Sequence, residues 1–228
     1  MTSPASEITT AEPPSARVRL RRKRERGSYD RSTIDAILDE ALIAHLGIVE
    51  DGQPLVIPTL HARSGDLVYC HGAVASRTLR AMQLGAPVCL TVSLLDGLVL
   101  ARAAMHHSVN YRSVVLVGRA HEIDDPVEKL GALRSVVEHI VPGRWEEVRP
   151  PSENELKATS VLALPIEEAS AKVRTGPPLD DEEDYALGAW AGVIPFAPRA
   201  ETPLPDPRLS TSIALPERLS RYRRPTGP

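Results

Sequence analysis

The 228-residue sequence lacks the features that mark several large classes of protein. No apolar run approaches the ~20 residues that span a bilayer. The first 16 residues are polar and proline-bearing and contain no apolar signal segment. Only two cysteines occur, Cys70 and Cys89, and both lie in apolar strand-like runs, which is typical of a reducing compartment. We therefore expect a cytoplasmic protein without a membrane span.

Motifs for common cofactors and catalysts are absent as well. The sequence contains no Walker-type loop, no Gly-x-Gly-x-x-Gly fingerprint, no Gly-x-Ser-x-Gly elbow and no Cys-x-x-Cys pair. P-loop chemistry, Rossmann-bound dinucleotides, α/β-hydrolase catalysis and dithiol chemistry are therefore disfavoured. His106 and His107 are adjacent, so on a strand they point to opposite faces, and no further donor lies at ligand spacing. We predict no metal site.

Positive charge is concentrated near the N-terminus although the net charge is -3. The run RVRLRRKRER, residues 17–26, carries seven cations in ten residues and could bind nucleic acid by counterion release. Aromatic residues make up only 4% of the chain, and none is interleaved with these cations. A solvated arm, or a strap across a partner subunit, is favoured over nucleic-acid binding.

The composition divides the chain into three parts. Residues 1–16 lack an apolar pattern and are expected to be disordered. Residues 17–176 form one domain, and residues 177–228 form an acidic and then proline-rich extension that wraps the domain or a dimer.

The central domain shows the pattern of a mainly β (α+β) fold. A helix is predicted over 32–42 with Ser32 as its N-cap. Three strands joined by turns at Asp51-Gly52 and Ser64-Gly65 predict an antiparallel meander. Helices are predicted after Ser76 and from Pro126, and three more strands lie around 88–95, 113–123 and 160–166. Six strands with short connections indicate an antiparallel barrel with peripheral helices.

One candidate binding site lies in the stretch YCHGAVASR, residues 69–77. A strand leads into a helix through small residues, and such a junction can admit a phosphate monoester. His71, Gly72, Ser76 and Arg77 would supply donors and an open approach. The alternative is a plain helix start, with Ser76 as the cap and Arg77 in solvent.

A second cluster consists of Asn110, Tyr111, Arg112 and Ser113 before an apolar strand. Polar and aromatic groups at the rim of a barrel often contact a ligand. The alternative is an ordinary strand entry, with an exposed arginine and a tyrosine packed across the sheet.

A third cluster lies further along the chain. Lys172 and Arg174 share one face of a predicted strand, and Trp190 stands between small residues that would let it cover a flat ligand. The alternative is an edge strand blunted by charge and a tryptophan that fills a surface groove.

The ordered motifs YDRSTIDAILDE, HLGIVEDGQPLVIPTLH, YCHGAVASR, NYRSVVLVGRA and SAKVRTGPPLDDEEDYALGAWAGVIP resemble those of the pyridoxamine 5'-phosphate oxidase-like flavin-nucleotide-binding proteins, including the nitroimidazole-resistance type. The likeness covers residues 17–215. It implies a six-stranded FMN-binding split barrel that forms a homodimer, with two flavin sites at the subunit interface.

The resemblance also implies roles for individual residues. His71, Gly72, Ser76 and Arg77 would hold the FMN phosphate. Backbone groups of Pro58, Thr59 and Leu60 would meet the isoalloxazine edge, and residues 110–113 match the family's rim motif. The C-terminal arginine motif of true pyridoxamine phosphate oxidases is missing, so vitamin B6 oxidation is not expected.

Three functions stay open at the level of sequence. The first is an FMN-dependent oxidoreductase of a small organic molecule such as a nitroaromatic or a quinone. The second is a non-catalytic flavin- or haem-binding protein that stores, senses or degrades its ligand, and the third is a deazaflavin-dependent reductase. Lys172 or Arg174 near the flavin would favour its reduced form. No side chain stands out as a catalytic acid or base.

Overall fold

A computed structural model gives the fold and describes residues 12–224. Residues 1–11 and 225–228, which include most of the predicted N-terminal tail and the end of the predicted extension, lie outside the described part.

The described chain contains five α-helices: Arg31–Glu40 (α1), Arg77–Gln83 (α2), Pro126–Ile140 (α3), Glu153–Ala158 (α4) and Glu217–Ser220 (α5). The predicted cap of α1 is wrong by two residues. Asp30, not Ser32, is the N-cap, and its carboxylate accepts from the Thr33 amide at 3.1 Å. Ser32 instead lies inside the first turn and donates its hydroxyl to Asp30.

Most of the remaining structure is antiparallel β-sheet. The strands are Gly27–Ser28 (β1), Ile43–Glu50 (β2), Gln53–Leu60 (β3), Ala62–Ser64 (β4), Leu67–Ala73 (β5), Pro87–Leu100 (β6), Ser108–Arg119 (β7), His121–Glu122 (β8), Thr159–Pro165 (β9), Glu168–Arg174 (β10) and Gly192–Pro195 (β11). Seven of them form one sheet in the order β1-β10-β7-β6-β2-β3, with β11 also paired to β6. The other four form a second sheet in the order β4-β5-β9-β8.

The two sheets face each other without closing, which confirms the predicted α+β split-barrel class. The chain has more strands than the six that we predicted, because several are too short to show a pattern. The predicted three-stranded meander is also wrong. The chain leaves the first sheet after Leu60, and the strand that follows buried His61 belongs to the second sheet.

The main core lies between the sheets and under α1 and α2. It includes Leu38 of α1, Leu46 of β2, Leu90 of β6 and Leu116 of β7, each at most 1% exposed. A smaller cluster on the other face of the second sheet packs α3 against β9 through Ala132, Val161 and Ala163. The second sheet is therefore covered on both faces.

The basic run packs along its own barrel rather than forming a solvated arm. Val18 is 4% exposed, and the Leu20 amide donates to the Tyr29 hydroxyl at 2.7 Å. β1 follows directly and pairs with β10. The cationic side chains before Arg26 remain exposed, so the charge is displayed by a docked segment.

The C-terminal extension contacts the barrel at three places. Asp180 accepts from the Arg102 amide, β11 pairs with the end of β6, and α5 lies against the loop after α3. Gly97 on β6 allows the second of these contacts, because a Cβ there would stand 2.7 Å from the Ile194 carbonyl oxygen. Between β11 and α5 the chain is irregular and exposed.

Within residues 12–224, no helix is both long and apolar enough to cross a membrane.

Candidate functional site

His71 lies on β5 and faces away from the main core. Its neighbours Cys70 and Gly72 point to the core and to α2, so the alternation of a strand directs His71 to the α3 side. There it lines a cavity of about 520 Å³. The other lining groups come mainly from α3, α4 and the loop between them: Leu133, Val136, Val137, Trp145, Val148, Arg149, Pro151, Glu155 and Thr159.

The imidazole of His71 is the polar group that stands out in this cavity. Its Nδ1 is buried and has no hydrogen-bond partner among the described residues. Burial lowers the pKa of His71 below its ordinary value of 6.5, so the ring is neutral at neutral pH. A neutral imidazole with a free lone pair can ligate a metal.

The other predicted phosphate-binding residues have structural roles in this chain. Gly72 allows α2 to pack closely, because a Cβ there would be 3.0 Å from Leu79 Cδ1. Ser76 caps α2 by accepting from the Leu79 amide. Arg77 is exposed and pairs with Glu50 at 2.8 Å. Because His71 and α2 lie on opposite faces of β5, the structure does not bring these residues together around one ligand, and the phosphate site stays a prediction.

Pro58, Thr59 and Leu60 end the edge strand β3. They pair with His45, Ala44 and Ile43 of β2. Pro58 is exposed on the sheet face that points away from the core. Thr59 donates its hydroxyl to the Leu60 carbonyl at 3.1 Å. The structure thus places the three residues at an open edge, where backbone groups remain available.

The predicted rim residues lie inside β7, not before it as predicted. Arg112 is held by carboxylates on both sides. Its guanidinium binds Glu40 and also binds Asp96 through Nε at 3.0 Å and Nη2 at 2.8 Å. These hydrogen bonds raise the pKa of Arg112 above its ordinary value. The carboxylates of Glu40 and Asp96 belong to α1 and β6, so Arg112 of β7 links these three elements.

Lys172 and Arg174 lie on the outer face of β10, as the alternation predicted. They stand opposite Ser113 and Tyr111 of β7, while the intervening Val173 packs against the core. Lys172 Nζ donates to the Arg22 carbonyl at 3.3 Å. The docked basic run therefore passes directly over this part of β10.

Arg174 is buried, with 6% of its surface exposed. Its guanidinium donates to the Asn110 side-chain oxygen and to the Pro177 carbonyl. Within residues 12–224, no carboxylate oxygen lies within 4 Å of it. Burial and then the nearby charge of Arg26 lower the pKa of Arg174, while Tyr111 acts in the opposite sense. The site is a buried cation beside other cations.

Asn110 supports this arrangement. It is 8% exposed, donates to the Gly176 carbonyl at 3.1 Å and accepts from Arg174. Trp190, by contrast, is 68% exposed beside β11, where its ring folds over Gly192. The structure joins Asn110, Tyr111, Ser113, Lys172 and Arg174 in one region and leaves Trp190 at the surface.

Sequence analysis missed the surroundings of His106. Asp180, whose side chain is fully buried, accepts from the Arg102 and Ala103 amides and lies 3.5 Å from His106 Nδ1. Ligand atoms of His106, Asp181 and Asp184 lie within 4.8 Å of one another. The prediction that no carboxylate accompanies His106 is wrong, because the extension returns to this loop from about 75 residues further along the chain. Exposed acidic groups often cluster without an ion, so this cluster assigns no metal.

Several known proteins resemble this chain in sequence and in fold. A sequence model described as pyridoxamine 5'-phosphate oxidase matches residues 30–173. The chain belongs to this family. The match includes α1, all of the second sheet and the first sheet except β1, β11 and the last residue of β10, so the resemblance predicted from the motifs is confirmed.

Two solved structures are similar over most of their length. The flavocytochrome Anf3 from Azotobacter vinelandii is 48% identical, with a TM-score of 0.88 over 93% of this chain and 99% of that one. The FAD and heme binding protein from Mycobacterium smegmatis is 37% identical, with a TM-score of 0.82 over 85% of this chain and 95% of that one.

A third structure shares the fold. The putative 5-nitroimidazole antibiotic resistance protein from Bacteroides thetaiotaomicron VPI-5482 is 24% identical, with a TM-score of 0.55 over 64% of this chain and 86% of that one. A comparison with curated proteins gave no match.

Proposed function

We propose that this protein is a flavoprotein in which Arg174 is the counterion of a bound flavin nucleotide, and that it transfers electrons between the flavin and a small organic molecule. The observation that carries the proposal is the burial of Arg174 without a carboxylate partner among the described residues.

A buried guanidinium is costly unless an anion accompanies it. Arginine does not lose its proton in proteins, so burial cannot be relieved by neutralisation. Removing a charge from water costs several kcal/mol when no opposite charge repays it. Arg26 nearby adds repulsion. An anionic ligand on the outer face of β10 would remove this cost.

A flavin nucleotide matches the chemistry of this region. Its phosphate and the electron-rich edge of its reduced ring are both acceptors for the planar fork of an arginine. When bound, a flavin supplies transfer of hydride or of single electrons. In this chain Arg174 would bind and orient the acceptor edge, and Lys172 would add a second positive charge on the same face. The 37% identical relative is an FAD and heme binding protein, which supports a flavin nucleotide as the ligand.

The identity of the nucleotide is open to a direct test. The motifs predict FMN, whereas the relative from Mycobacterium smegmatis is described as binding FAD. We expect freshly purified protein to show the two flavin bands in the blue and near ultraviolet. Chromatography of the cofactor released by heat then distinguishes FMN from FAD. A colourless protein that binds neither nucleotide, or one that binds only a deazaflavin, would contradict the proposal.

Haem is a second candidate ligand, because of the cavity at His71. Its volume of about 520 Å³ and its aliphatic lining from α3 suit a large apolar ring. The unpartnered Nδ1 of His71 fits the donor that haem iron requires. The larger cavity of about 1090 Å³ under the C-terminal extension is lined mostly by proline and aliphatic residues and offers no such donor. Of the two similar proteins, one is a flavocytochrome and the other an FAD and heme binding protein.

The haem proposal is tested by substitution of its candidate ligand. In this site His71 would bind the iron, and the side chains of α3 would exclude water from the ring. We expect a Soret band in protein supplied with haem, lost in His71→Ala and retained in His121→Ala, which removes an exposed histidine. A Soret band of equal intensity in His71→Ala would exclude this cavity.

We also propose that the functional unit is a homodimer formed through the outer face of the first sheet. Val49 and Val56 on this face are each 62% exposed and Leu95 is 48% exposed. An apolar face of this kind on a sheet is typical of a protein interface. Lys172 and Arg174 adjoin the face, so a second copy would enclose the flavin.

Light scattering with size-exclusion chromatography tests the dimer. Val56→Asp places a charge at the proposed interface and should yield monomers with reduced flavin content. Val127→Asp is the matched control, because Val127 is 78% exposed in the first turn of α3, on a different surface. A monomeric wild-type protein, or a Val56→Asp protein that stays dimeric, would contradict the interface.

A further inference from the structure

The C-terminal strap, defined as residues 217–224, contacts one end of the barrel through its side chains. Arg218 pairs with Glu147 and donates to the Pro142 carbonyl at 2.9 Å. Tyr222 donates its hydroxyl to the Ile140 carbonyl at 3.0 Å. The strap is therefore attached to the end of α3 and to the loop that follows it.

Arg224 ends the described strap in a cage of backbone carbonyls. Its guanidinium donates to the Asp39 and Glu40 carbonyls at 2.9 Å each and to the His139 carbonyl. These oxygens belong to the C-terminal ends of α1 and α3, where carbonyls lack partners within the helix and favour a cation. One side chain thus joins two helices to the strap.

Two histidines lie against this arginine. His139 Nε2 is 3.1 Å from Arg224 Nη2 and 2.8 Å from the Ala41 carbonyl. The ring of His61 is 5.1 Å from that of His139, is fully buried, and approaches the Leu38 carbonyl at 3.0 Å through Nε2. Because a carbonyl oxygen only accepts, Nε2 of His139 donates to Ala41. A neutral His139 therefore places no second charge beside Arg224, whereas a protonated one is a second cation facing it.

We propose that the C-terminal strap is an acid-sensitive latch, docked while His61 and His139 are neutral and released when they gain protons beside Arg224. Charged groups face His61 and His139 from α1, from β4 and from the strap. Asp39 of α1 attracts protons to the site, and Arg63 of β4 and Arg224 repel them. Arg63 is itself paired with Asp39 at 2.5 Å, so the balance around the histidines is not acidic.

The direction of the pH effect depends on whether the histidines bind protons more readily with the strap docked or with the strap released. Burial is the main cause that lowers the pKa of His61 to about 4 and lowers that of His139. A histidine whose pKa is lowered in the docked state stabilises that state fully at pH values above its ordinary pKa of 6.5. This stabilisation is lost as the pH falls from 6.5 toward 4. Release removes the positive charge of Arg224, which is one of the causes that lower the pKa of both histidines, so protonation favours release.

Release would loosen one wall of the His71 cavity. Trp145 and Val148 of that wall lie in the loop that follows α3, and Arg218 holds this loop through Glu147 and Pro142. The latch therefore connects acidity to the packing of the cavity, whether or not a ligand is bound there.

Hydrogen exchange measured by mass spectrometry on the full-length protein as purified tests the latch. Amides of Leu219, Ser220, Arg221 and Tyr222 are bonded within α5, and a four-residue helix is not stable by itself. Their protection therefore reports docking. After division by the chemical exchange rate, we expect protection to fall at least about threefold from pH 7.5 to pH 5.0, while β6 stays protected.

Three variants make the test specific. Arg224→Ala should lower protection of the strap at both pH values. His139→Gln keeps an N–H donor for the Ala41 carbonyl but cannot titrate, so it should flatten the pH dependence. His121→Gln should behave as wild type. Wild-type protection in Arg224→Ala, an unchanged pH dependence in both His139→Gln and His61→Gln, or a parallel loss of protection in β6 would overturn the proposal.

Discussion

Replacing Arg112 by methionine separates a structural role of this residue from the cofactor role that its motif predicts. The Arg112 side chain is 20% exposed, and its partners Glu40 and Asp96 are 5% and 28% exposed. Methionine keeps much of the volume and removes the charge. Both carboxylates would then lose the Arg112 guanidinium.

The size of the effect follows from this burial. Breaking a buried ion pair by removing one partner costs about 3–5 kcal/mol. Since Asp96 is partly solvated, we expect a loss of about 3 kcal/mol, the lower end of that range. The second substitution Glu40→Gln should restore part of the loss, because it removes the charge of the more buried of the two carboxylates. Lowering the pH should also reduce the deficit, since a buried carboxylate that has lost a neighbouring cation binds a proton more readily.

Urea unfolding at constant protein concentration measures the loss, and flavin absorbance per folded chain measures cofactor content. We expect Arg112→Met to be less stable than wild type at neutral pH and to bind flavin normally once folded. Unchanged stability together with a loss of flavin would refute this reasoning and restore Arg112 to the cofactor site.

Three further outcomes are expected. Asp30→Ala should lower the midpoint of thermal unfolding by a few degrees, because it removes the cap of α1, whereas Ser32→Ala should leave the midpoint nearly unchanged; equal effects would contradict the observed cap. Gly72→Val should reduce the free energy of unfolding in urea by about 1–3 kcal/mol, because α2 packs against that position, and an unchanged value would show that the helix can shift freely. Burial raises the pKa of Cys70 to about 12, so in native protein Ellman's reagent should modify only Cys89, and thiol release by Cys89→Ser at the wild-type rate would argue against the described core.

Local signals in the sequence were sufficient for much of the fold. The helix α2 begins directly after Ser76, and Pro126 opens α3, as predicted. The turns at Asp51-Gly52 and at Gly65 have the positive φ angles that their residue types indicate. These features depend on a few neighbouring residues, which is why they can be recognised without a structure.

Features that depend on contacts between residues far apart in the chain could not be predicted from the sequence. Nothing near His61 shows that β3 and β4 belong to different sheets, since the switch is decided by which strands lie opposite. The alternation of side chains along a strand indicated that Lys172 and Arg174 share a face. Only the fold shows that Arg174 is buried without an acidic partner among the described residues. Similarly, the order of the motifs suggested that His71 and Ser76 share one site. Only the position of α3 in the fold shows that His71 lines a different cavity.

The account depends most on the claim that Arg174 is the cation for a bound flavin. Titration of flavin-free protein with FMN and with FAD, followed by fluorescence, measures this for Arg174→Met and for Arg134→Met, a control at an exposed ion pair. We predict that Arg174→Met weakens flavin binding about 10- to 100-fold, while the flavin-free variant is at least as stable as flavin-free wild type, since a buried unpaired charge has been removed. Undiminished affinity in a less stable Arg174→Met protein would contradict the claim.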